Sequence, residues 1–172
     1  MYKRQRLREQ NEFEGCRLEF AGYLGPEHRG YLEGLTRQIN DWGLQDEIRY
    51  RGPLEFGDKV SFFRELDLFA VPATYDDPKG LALLEAMACG VPVIAADRGT
   101  YTEFIQRTGG GVLVPPEDPE SLVAELVRLR SDDAGRSALG QSGSRAVREQ
   151  YSADAMAVRA LDVYSRLYAV SN

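Results

Sequence analysis

The feature that most constrains this sequence is the regular alternation of short apolar runs with longer amphipathic stretches. The apolar runs are rich in β-branched or large apolar side chains and are bounded by Gly, Pro or Asp, which is typical of buried strands. Strands are predicted at residues 17–21, 48–50, 66–71, 91–95 and 111–114. Helices are predicted at residues 27–42, 58–64, 80–88 and 121–130, and on both sides of a break near residues 151–152. Strands that alternate with helices pair in parallel through right-handed crossovers, so the predicted fold class is α/β with a doubly wound parallel sheet.

The 172 residues are predicted to form a single domain, because no internal repeat and no low-complexity linker interrupts them. Residues 4–13 have the pattern of an amphipathic helix without a preceding strand. A doubly wound domain that opens on a helix has usually lost its first strand, so we expect a piece of a longer chain. A short native N-terminal helix is the alternative.

Charge and rare residue types exclude several classes of protein. The chain has 21 Lys and Arg against 27 Asp and Glu, which gives a net charge of −6. Nucleic acids and anionic membrane surfaces bind basic proteins, so neither is expected as a main partner. Two cysteines, Cys16 and Cys89, are too few for a disulfide framework or a four-thiolate zinc site, and the single histidine, His28, excludes a two-histidine metal site. The sequence has neither an apolar run long enough to span a membrane nor a secretory signal, so a cytoplasmic location is expected.

The junction between the third predicted strand and the helix after it is the best candidate for chemistry. Its candidate site residues are Asp77, Lys79, Gly80, Leu81, Ala82 and Glu85. The first N–H groups of a helix have no partner within it and bind anions, so phosphates fit the helix start. Glu85 lies five residues after Gly80, roughly 7 Å along the axis at ~1.5 Å per residue. A carboxylate there can accept hydrogen bonds from two ribose hydroxyls, while Asp77 would lie beyond the phosphates. The spacing alone fits equally well a solvated Glu85 and a turn-forming Asp77.

Residues 77–94 resemble the donor-site signature of GT-B glycosyltransferases in the large retaining family GT4, the glycosyl transferases group 1. That signature is two acidic residues with seven between them, followed by Ala-Met-Ala-x-Gly-x-Pro-Val. Segments 18–22, 43–52, 103–105 and 109–115 resemble further family segments, so the resemblance covers roughly residues 17–170. It implies the C-terminal, Rossmann-like half of a GT-B fold, which binds a nucleotide-diphosphate sugar for transfer to an acceptor with retention of configuration.

The resemblance also implies a role for each residue. Asp77 and Glu85 become the candidate catalytic residues, with Asp77 facing the transferred sugar and Glu85 holding the ribose. The diphosphate and sugar are expected against residues 79–82, that is Lys79, Gly80, Leu81 and Ala82. The base is expected against the loop formed by Arg51, Gly52, Pro53 and Leu54. Position 77 carries Asp where the family usually has Glu, which is one methylene longer. No cofactor and no metal are expected, since the helix dipole and basic residues neutralise the diphosphate.

In the family, the acceptor-binding N-terminal domain and the basic residues that face the diphosphate would precede residue 1. The chain alone is therefore predicted to be inactive. The helix at about residues 152–170 is expected to contact that missing domain and to expose part of its apolar stripe. The location could then be peripheral to a membrane through the missing domain, without an integral membrane segment in this chain.

Three alternative functions remain open. A GT-B sugar-nucleotide epimerase would need further carboxylates and histidines in the cleft, and a phosphorylase would need a lysine for pyridoxal phosphate. A non-catalytic α/β module that binds a nucleotide or a protein is the third. Among other polar residues, His28 is predicted to be exposed and non-catalytic, and Ser142 and Ser144 are predicted to lie on a helix surface.

Overall fold

A computed structural model describes residues 15–170, with side chains described up to residue 168. The helix predicted at residues 4–13 lies outside this range. The described residues form two compact units, one ending at Ser61 and one beginning at Phe62. Each unit contains its own parallel sheet.

The first unit is built around two short parallel strands. Its elements are β1 (Leu18–Phe20), a 3-10 helix (Pro26–His28), α1 (Arg29–Asp41), β2 (Ile48–Tyr50) and the start of α2 (Phe56–Arg64). The rings of Phe20 and Tyr50, which lie opposite each other in the two strands, stack with centroids 5.2 Å apart. Helix α1 buries Ile39, and the chain turns away from it at Gly43, whose φ of 63° is typical of a glycine that ends a helix.

The second unit contains three parallel strands and most of the helices. After the end of α2 it comprises β3 (Phe69–Val71), α3 (Leu81–Ala88), β4 (Val93–Ala96), α4 (Gly99–Thr108), β5 (Gly111–Val114), α5 (Pro119–Arg130), α6 (Asp133–Gln150) and α7 (Ala153–Val170). The strand order is β3-β4-β5, with Val93 opposite both Phe69 and Gly111. All four residues of β4 are buried, as is typical of a central strand in a parallel sheet covered on both faces.

One part of the core of the second unit lies between this sheet and α5. Ile94 of β4, Val114 of β5 and Leu129 of α5 form a buried cluster. Helix α5 begins at Asp118, whose carboxylate accepts hydrogen bonds from two N–H groups of the first turn, and Pro119 follows it. Such an Asp-Pro pair is a typical helix start, because Asp accepts hydrogen bonds from the first N–H groups and Pro suits the first helical position.

Helix α6 packs against α3, α4 and β5 through two of its glycines. Gly140 lies against Gly90, so closely that a methyl group at position 140 would overlap the Gly90 carbonyl oxygen. A methyl group at Gly143 would lie 2.9 Å from the Cα atom of Gly110. The absence of a side chain at these two positions therefore sets how close α6 comes to the ends of its neighbours.

This close approach corrects the prediction for two serines of α6. Ser142 Oγ donates a 2.8 Å hydrogen bond to the carbonyl oxygen of Thr108, and Ser144 Oγ donates a 3.3 Å bond to that of Ala88. Both serines are half-buried, so their predicted place on a helix surface was wrong. They instead satisfy carbonyl groups at the carboxyl ends of α4 and α3, which lack partners within their own helices.

Helix α7 carries a long exposed apolar surface. The exposed side chains are Met156, Val158, Leu161, Val163, Tyr164, Leu167 and Tyr168, with exposed fractions from 55% to 77%. The prediction that part of this stripe is exposed is confirmed. Within residues 15–170, no helix is both long and apolar enough to cross a membrane.

The α/β class with parallel sheets and flanking helices is confirmed, and every predicted strand is present with bounds shifted by a few residues. Helix α4 was not predicted. The assignment of all 172 residues to a single domain stays a prediction.

Candidate functional site

The candidate site is the loop between β3 and α3 in the second unit. The strand ends at Val71 and the helix begins at Leu81, so the loop leaves the carboxyl end of a parallel strand, the edge where α/β sheets bind ligands. Gly80 is the N-cap of α3 and adopts a left-handed conformation, with φ 58° and ψ 26°. A methyl group there would lie 2.7 Å from Phe104 Cε2, so the backbone of the loop sits directly on α4.

Asp77 is the centre of the hydrogen bonds in this loop. Its Oδ1 atom accepts bonds from the N–H groups of Lys79 and Gly80, at 2.9 and 3.1 Å, and its Oδ2 atom accepts a 3.1 Å bond from the Tyr101 hydroxyl. Its carbonyl oxygen accepts a 2.8 Å bond from Thr100 Oγ1. The two backbone N–H groups, followed by the Tyr101 hydroxyl, lower the pKa of the Asp77 carboxyl. Asp77 is therefore an ionised cap of the loop.

Four consecutive residues at the start of α4, residues 98–101, contact this loop. Arg98 Nε lies 3.4 Å from Asp76 Oδ1, and a methyl group at Gly99 would lie 3.4 Å from the Asp76 Cα atom. The two residues that follow, Thr100 and Tyr101, bind Asp77. The loop is thus fixed on one side by the first turn of the next helix.

The start of α3 differs from the prediction in one respect. The N–H group of Gly80, expected to be free for an anion, donates to Asp77, because the chain reverses sharply enough to bring that carboxylate beneath it. Leu81 and Ala82 supply the first two N–H groups of the helix, which have no partner within it. Both residues are exposed, and so is Lys79 beside them.

Glu85 lies in the second turn of α3 and is half-buried. The helix continues without interruption from Leu81 to Ala88, so Glu85 and the open helix start belong to one rigid element. The axial separation of roughly 7 Å expected from the sequence is therefore kept. The structure brings Asp77, Lys79, Gly80, Leu81, Ala82 and Glu85 together in the second unit.

The predicted base-binding loop, Arg51 to Leu54, lies in the first unit. Arg51 Nη1 donates a 2.7 Å hydrogen bond to Glu19 Oε2, and the Arg51 N–H group donates to the carbonyl oxygen of Phe20. The Gly52 carbonyl accepts a bond from the Gly22 N–H group, so the ends of β1 and β2 are tied together. Pro53 is exposed and Leu54 is half-buried. The contact of this loop with a base stays a prediction.

Tyr101 and Thr100 were missed as site residues. Their sequence signal was weak but present: Tyr101, Ile105 and Thr108 are buried and follow helical spacing, which indicates a helix starting next to the loop. The hydrogen bond from Tyr101 to a residue 24 positions away leaves no trace in a single sequence.

Metal-binding residues do not cluster in residues 15–170, where no group of three or more His, Cys, Asp or Glu side chains could hold an ion. His28 is largely exposed, as predicted, and its Nε2 atom lies 3.6 Å from Glu27. That the donor site works without metal stays a prediction.

Comparison with known proteins identifies the family. Residues 4–146 match the family described as glycosyl transferases group 1. The chain belongs to this family. A D-inositol 3-phosphate glycosyltransferase of Salinispora tropica is 37% identical over 127 residues, which are 74% of this chain and 26% of that protein. This member of the family thus spans about a quarter of the length of that relative.

Solved structures give the same result for the fold. The sucrose-phosphate synthase of Thermosynechococcus elongatus superposes with a TM-score of 0.77 and 27% identity, covering 90% of this chain and 39% of that one. HepE of Anabaena, solved in complex with UDP-glucose, superposes with a TM-score of 0.67 and 25% identity, covering 81% and 39%. The resemblance to the C-terminal domain of a GT-B glycosyltransferase is confirmed.

Proposed function

We propose that this glycosyl transferases group 1 chain is the donor-binding part of a retaining glycosyltransferase. It would bind a nucleoside-diphosphate sugar and pass the sugar to an acceptor with retention of anomeric configuration. The observation that carries the proposal is the continuity of the site: a capped loop, an open helix start and a carboxylate follow one another along residues 77–85.

The helix start suits the diphosphate. The N–H groups of Leu81 and Ala82 are supported by the positive end of the helix dipole, equivalent to roughly half a unit charge. Lys79 adds a full positive charge next to them. When the sugar leaves, negative charge grows on the diphosphate, so the same donors would stabilise the departing group as well as bind it.

Glu85 suits the ribose. Diphosphate oxygens at the first turn of α3 would place the nucleoside further along the helix, where Glu85 lies. Its carboxylate could then accept hydrogen bonds from both ribose hydroxyls. A charged carboxylate accepts such bonds more strongly than an uncharged carbonyl or amide group does. Asp77 would lie on the sugar side of the diphosphate. The assignment of the base to Arg51, Gly52, Pro53 and Leu54 rests on the family resemblance alone.

The acceptor would be held by a second domain. The Salinispora relative is about four times as long as the segment that matches here, which leaves room for such a domain. The exposed apolar surface of α7 is the proposed contact with it. No nucleic acid partner is proposed, in keeping with the net charge of −6.

Calorimetric titration of the purified chain with UDP, GDP and ADP tests the donor site, and UDP-glucose follows because HepE was solved with it. We expect saturable binding of at least one nucleotide. Glu85→Ala should weaken it on the order of tenfold or more, because each hydrogen bond to a charged group contributes ~1.5–3 kcal/mol and ~1.4 kcal/mol is a factor of ten.

Glu149→Ala is the matched control, since Glu149 is an exposed glutamate on α6 in the same unit. It should leave nucleotide affinity unchanged. Saturable binding that is insensitive to Glu85→Ala would show that the ribose site is misassigned. A wild-type chain that binds none of the nucleotides would contradict the proposal and favour a module that binds a protein.

A further inference from the structure

We infer that Tyr101 is a positioning residue of the donor site. Its hydroxyl holds the Asp77 carboxylate as the cap of residues 77–80, and this cap fixes the N–H groups at the start of α3 that receive the diphosphate. The inference rests on the proposed function and assigns a role to a residue outside the acidic pair of the signature.

The first step concerns what the Asp77 carboxylate does. Both of its oxygens are engaged: Oδ1 binds the N–H groups of Lys79 and Gly80, and Oδ2 binds the Tyr101 hydroxyl. The bonds to Lys79 and Gly80 close a tight turn directly before the helix. The carboxylate therefore shapes the backbone that presents Leu81 and Ala82.

The second step concerns how firmly Tyr101 is held. Its side chain is 3% exposed and lies in the first turn of α4. The neighbouring Thr100 binds the Asp77 carbonyl oxygen, so side chain and backbone of Asp77 are both fixed to the same turn. Among the described residues, the Tyr101 hydroxyl has one hydrogen-bond partner, Asp77, and burial with that carboxylate raises the pKa of Tyr101 well above its usual range. It stays a hydrogen-bond donor at any working pH.

The third step concerns the shorter acidic residue. Position 77 carries Asp where the family usually has Glu, so its carboxylate stays close to its own backbone. At this length it can bind N–H groups two and three residues ahead, which is the Asx-turn geometry that Asp favours. The tyrosine hydroxyl then supplies the one donor that the turn itself cannot give to Oδ2.

Tyr101→Phe is the test, because it removes only the hydroxyl. Titration with the nucleotide that the wild-type chain binds, and with its sugar conjugate, should show a measurable loss of affinity for both ligands. The loss should be at most about tenfold, because the free energy of one buried hydrogen bond limits what loss of the cap can cost in binding. A direct contact between Asp77 and the sugar would instead affect only the sugar conjugate.

Tyr151→Phe is a closely matched control. The Tyr151 hydroxyl is also buried in the second unit, but it has no hydrogen-bond partner among the described residues, and its ring packs against Phe104 beside the site. Its removal should leave both affinities unchanged. Asp77→Asn should retain most of the affinity, since an amide oxygen can still accept from the turn and its NH₂ group can donate to Tyr101.

Two readouts separate positioning from a general loss of stability. Carbon-13 NMR titration of the Asp77 carboxyl should show a higher pKa in Tyr101→Phe than in the wild type. In a double-mutant cycle, Tyr101→Phe should have no further effect on affinity in an Asp77→Ala background, because its action runs through that carboxylate.

The outcomes distinguish this inference from the proposed function. If the wild-type chain binds no nucleotide, both are overturned. If the wild type binds and Tyr101→Phe binds equally well, the inference is wrong and the proposed function stands. An additive loss in the double mutant would also overturn the inference, since Tyr101 would then act independently of Asp77.

Discussion

At the scale of single residues, Gly80 combines two constraints in one position. Its left-handed φ of 58° disfavours any side chain, and the space where a methyl group would go is occupied by Phe104 and Thr100. Gly90 has a similar conformation, with φ 84°, but open space around it. Substitutions at Gly80 and Gly90 can therefore be compared to separate the effect of backbone strain from that of steric overlap.

We expect Gly80→Val to destabilise the chain and to weaken binding of a nucleoside diphosphate and of its sugar conjugate alike. Strain costs about 1–2 kcal/mol and overpacking a further 1–3 kcal/mol. Gly90→Val should show the strain without the overlap at Phe104, and without the loss of binding. Urea unfolding and calorimetry check both variants; equal behaviour of the two would contradict a special role for the Gly80 position.

The cap at Asp77 makes a pH-dependent contribution to stability. The hydrogen bonds from Lys79, Gly80 and Tyr101 lower its pKa in the folded state below the ordinary value of 3.8. Its stabilising effect is therefore complete above pH ~5 and is lost as the pH falls through the folded-state pKa. The difference in free energy of unfolding between the wild type and Asp77→Asn should be constant near neutrality and shrink below pH ~4. A difference that persists unchanged to pH 3 in urea unfolding would rule this out.

Residue types and spacing were enough to identify the candidate residues of α3 but not the hydrogen bonds around them. The order Asp77, Gly80, Glu85 was visible, and the helix start falls one residue from its predicted place. What could not be seen was that Asp77 turns back onto Gly80, or that Tyr101 reaches it, because such bonds depend on tertiary placement rather than on local pattern.

At the scale of elements, α6 shows that a glycine inside a helix can be required for packing. In isolation, glycine weakens a helix by roughly 0.5–1 kcal/mol relative to alanine. At position 140 this penalty is offset because the helix can approach the Gly90 carbonyl directly.

We therefore expect Gly140→Ala to lower the free energy of unfolding by about 1–3 kcal/mol, since the added methyl group meets backbone that cannot move aside easily. Gly34→Ala is the control: Gly34 lies within α1, has nothing within 4 Å of the added methyl group, and should be neutral or slightly stabilising. Chemical denaturation measures both. A stabilised Gly140→Ala variant would contradict the close packing.

Helices and strands were predicted well where the apolar periodicity is strong and poorly where few apolar residues follow it. Helix α5, with its Asp-Pro start, was found within two residues. Helix α4 was missed because only its buried face, Tyr101, Ile105 and Thr108, follows helical spacing. It opens on Gly99, with only two residues between it and the end of β4. Packing against the loop and α6, rather than intrinsic helix propensity, stabilises it.

At the scale of the whole molecule, the proposed donor site is one of the two sites that sugar transfer needs, the other being a site for the acceptor. We expect no detectable sugar transfer by this 172-residue chain with any donor and acceptor pair, because transfer depends on holding both reactants in register. Product analysis with a radiolabelled nucleotide sugar measures this. Product from the purified chain that is absent from its Glu85→Ala variant would contradict the prediction.

The exposed surface of α7 belongs to the same scale. Large apolar side chains rarely form a contiguous exposed patch on a monomer unless a partner covers them. The exposure of this surface could be predicted from the sequence because the apolar stripe of α7 is wider than packing against one neighbouring element requires. The partner of this surface could not be predicted, because an apolar stripe does not specify which surface covers it.

The fixation of α3 at both ends has a thermodynamic consequence. Its first turn is held through Asp77 and Tyr101, and its last carbonyl group, that of Ala88, accepts hydrogen bonds from Ser144 and Arg148 of α6. A nucleotide bound as proposed would meet N–H donors whose conformational entropy was already lost during folding. Association should then be accompanied by little ordering of the protein, and its heat-capacity change should reflect only the surface that the ligand itself covers.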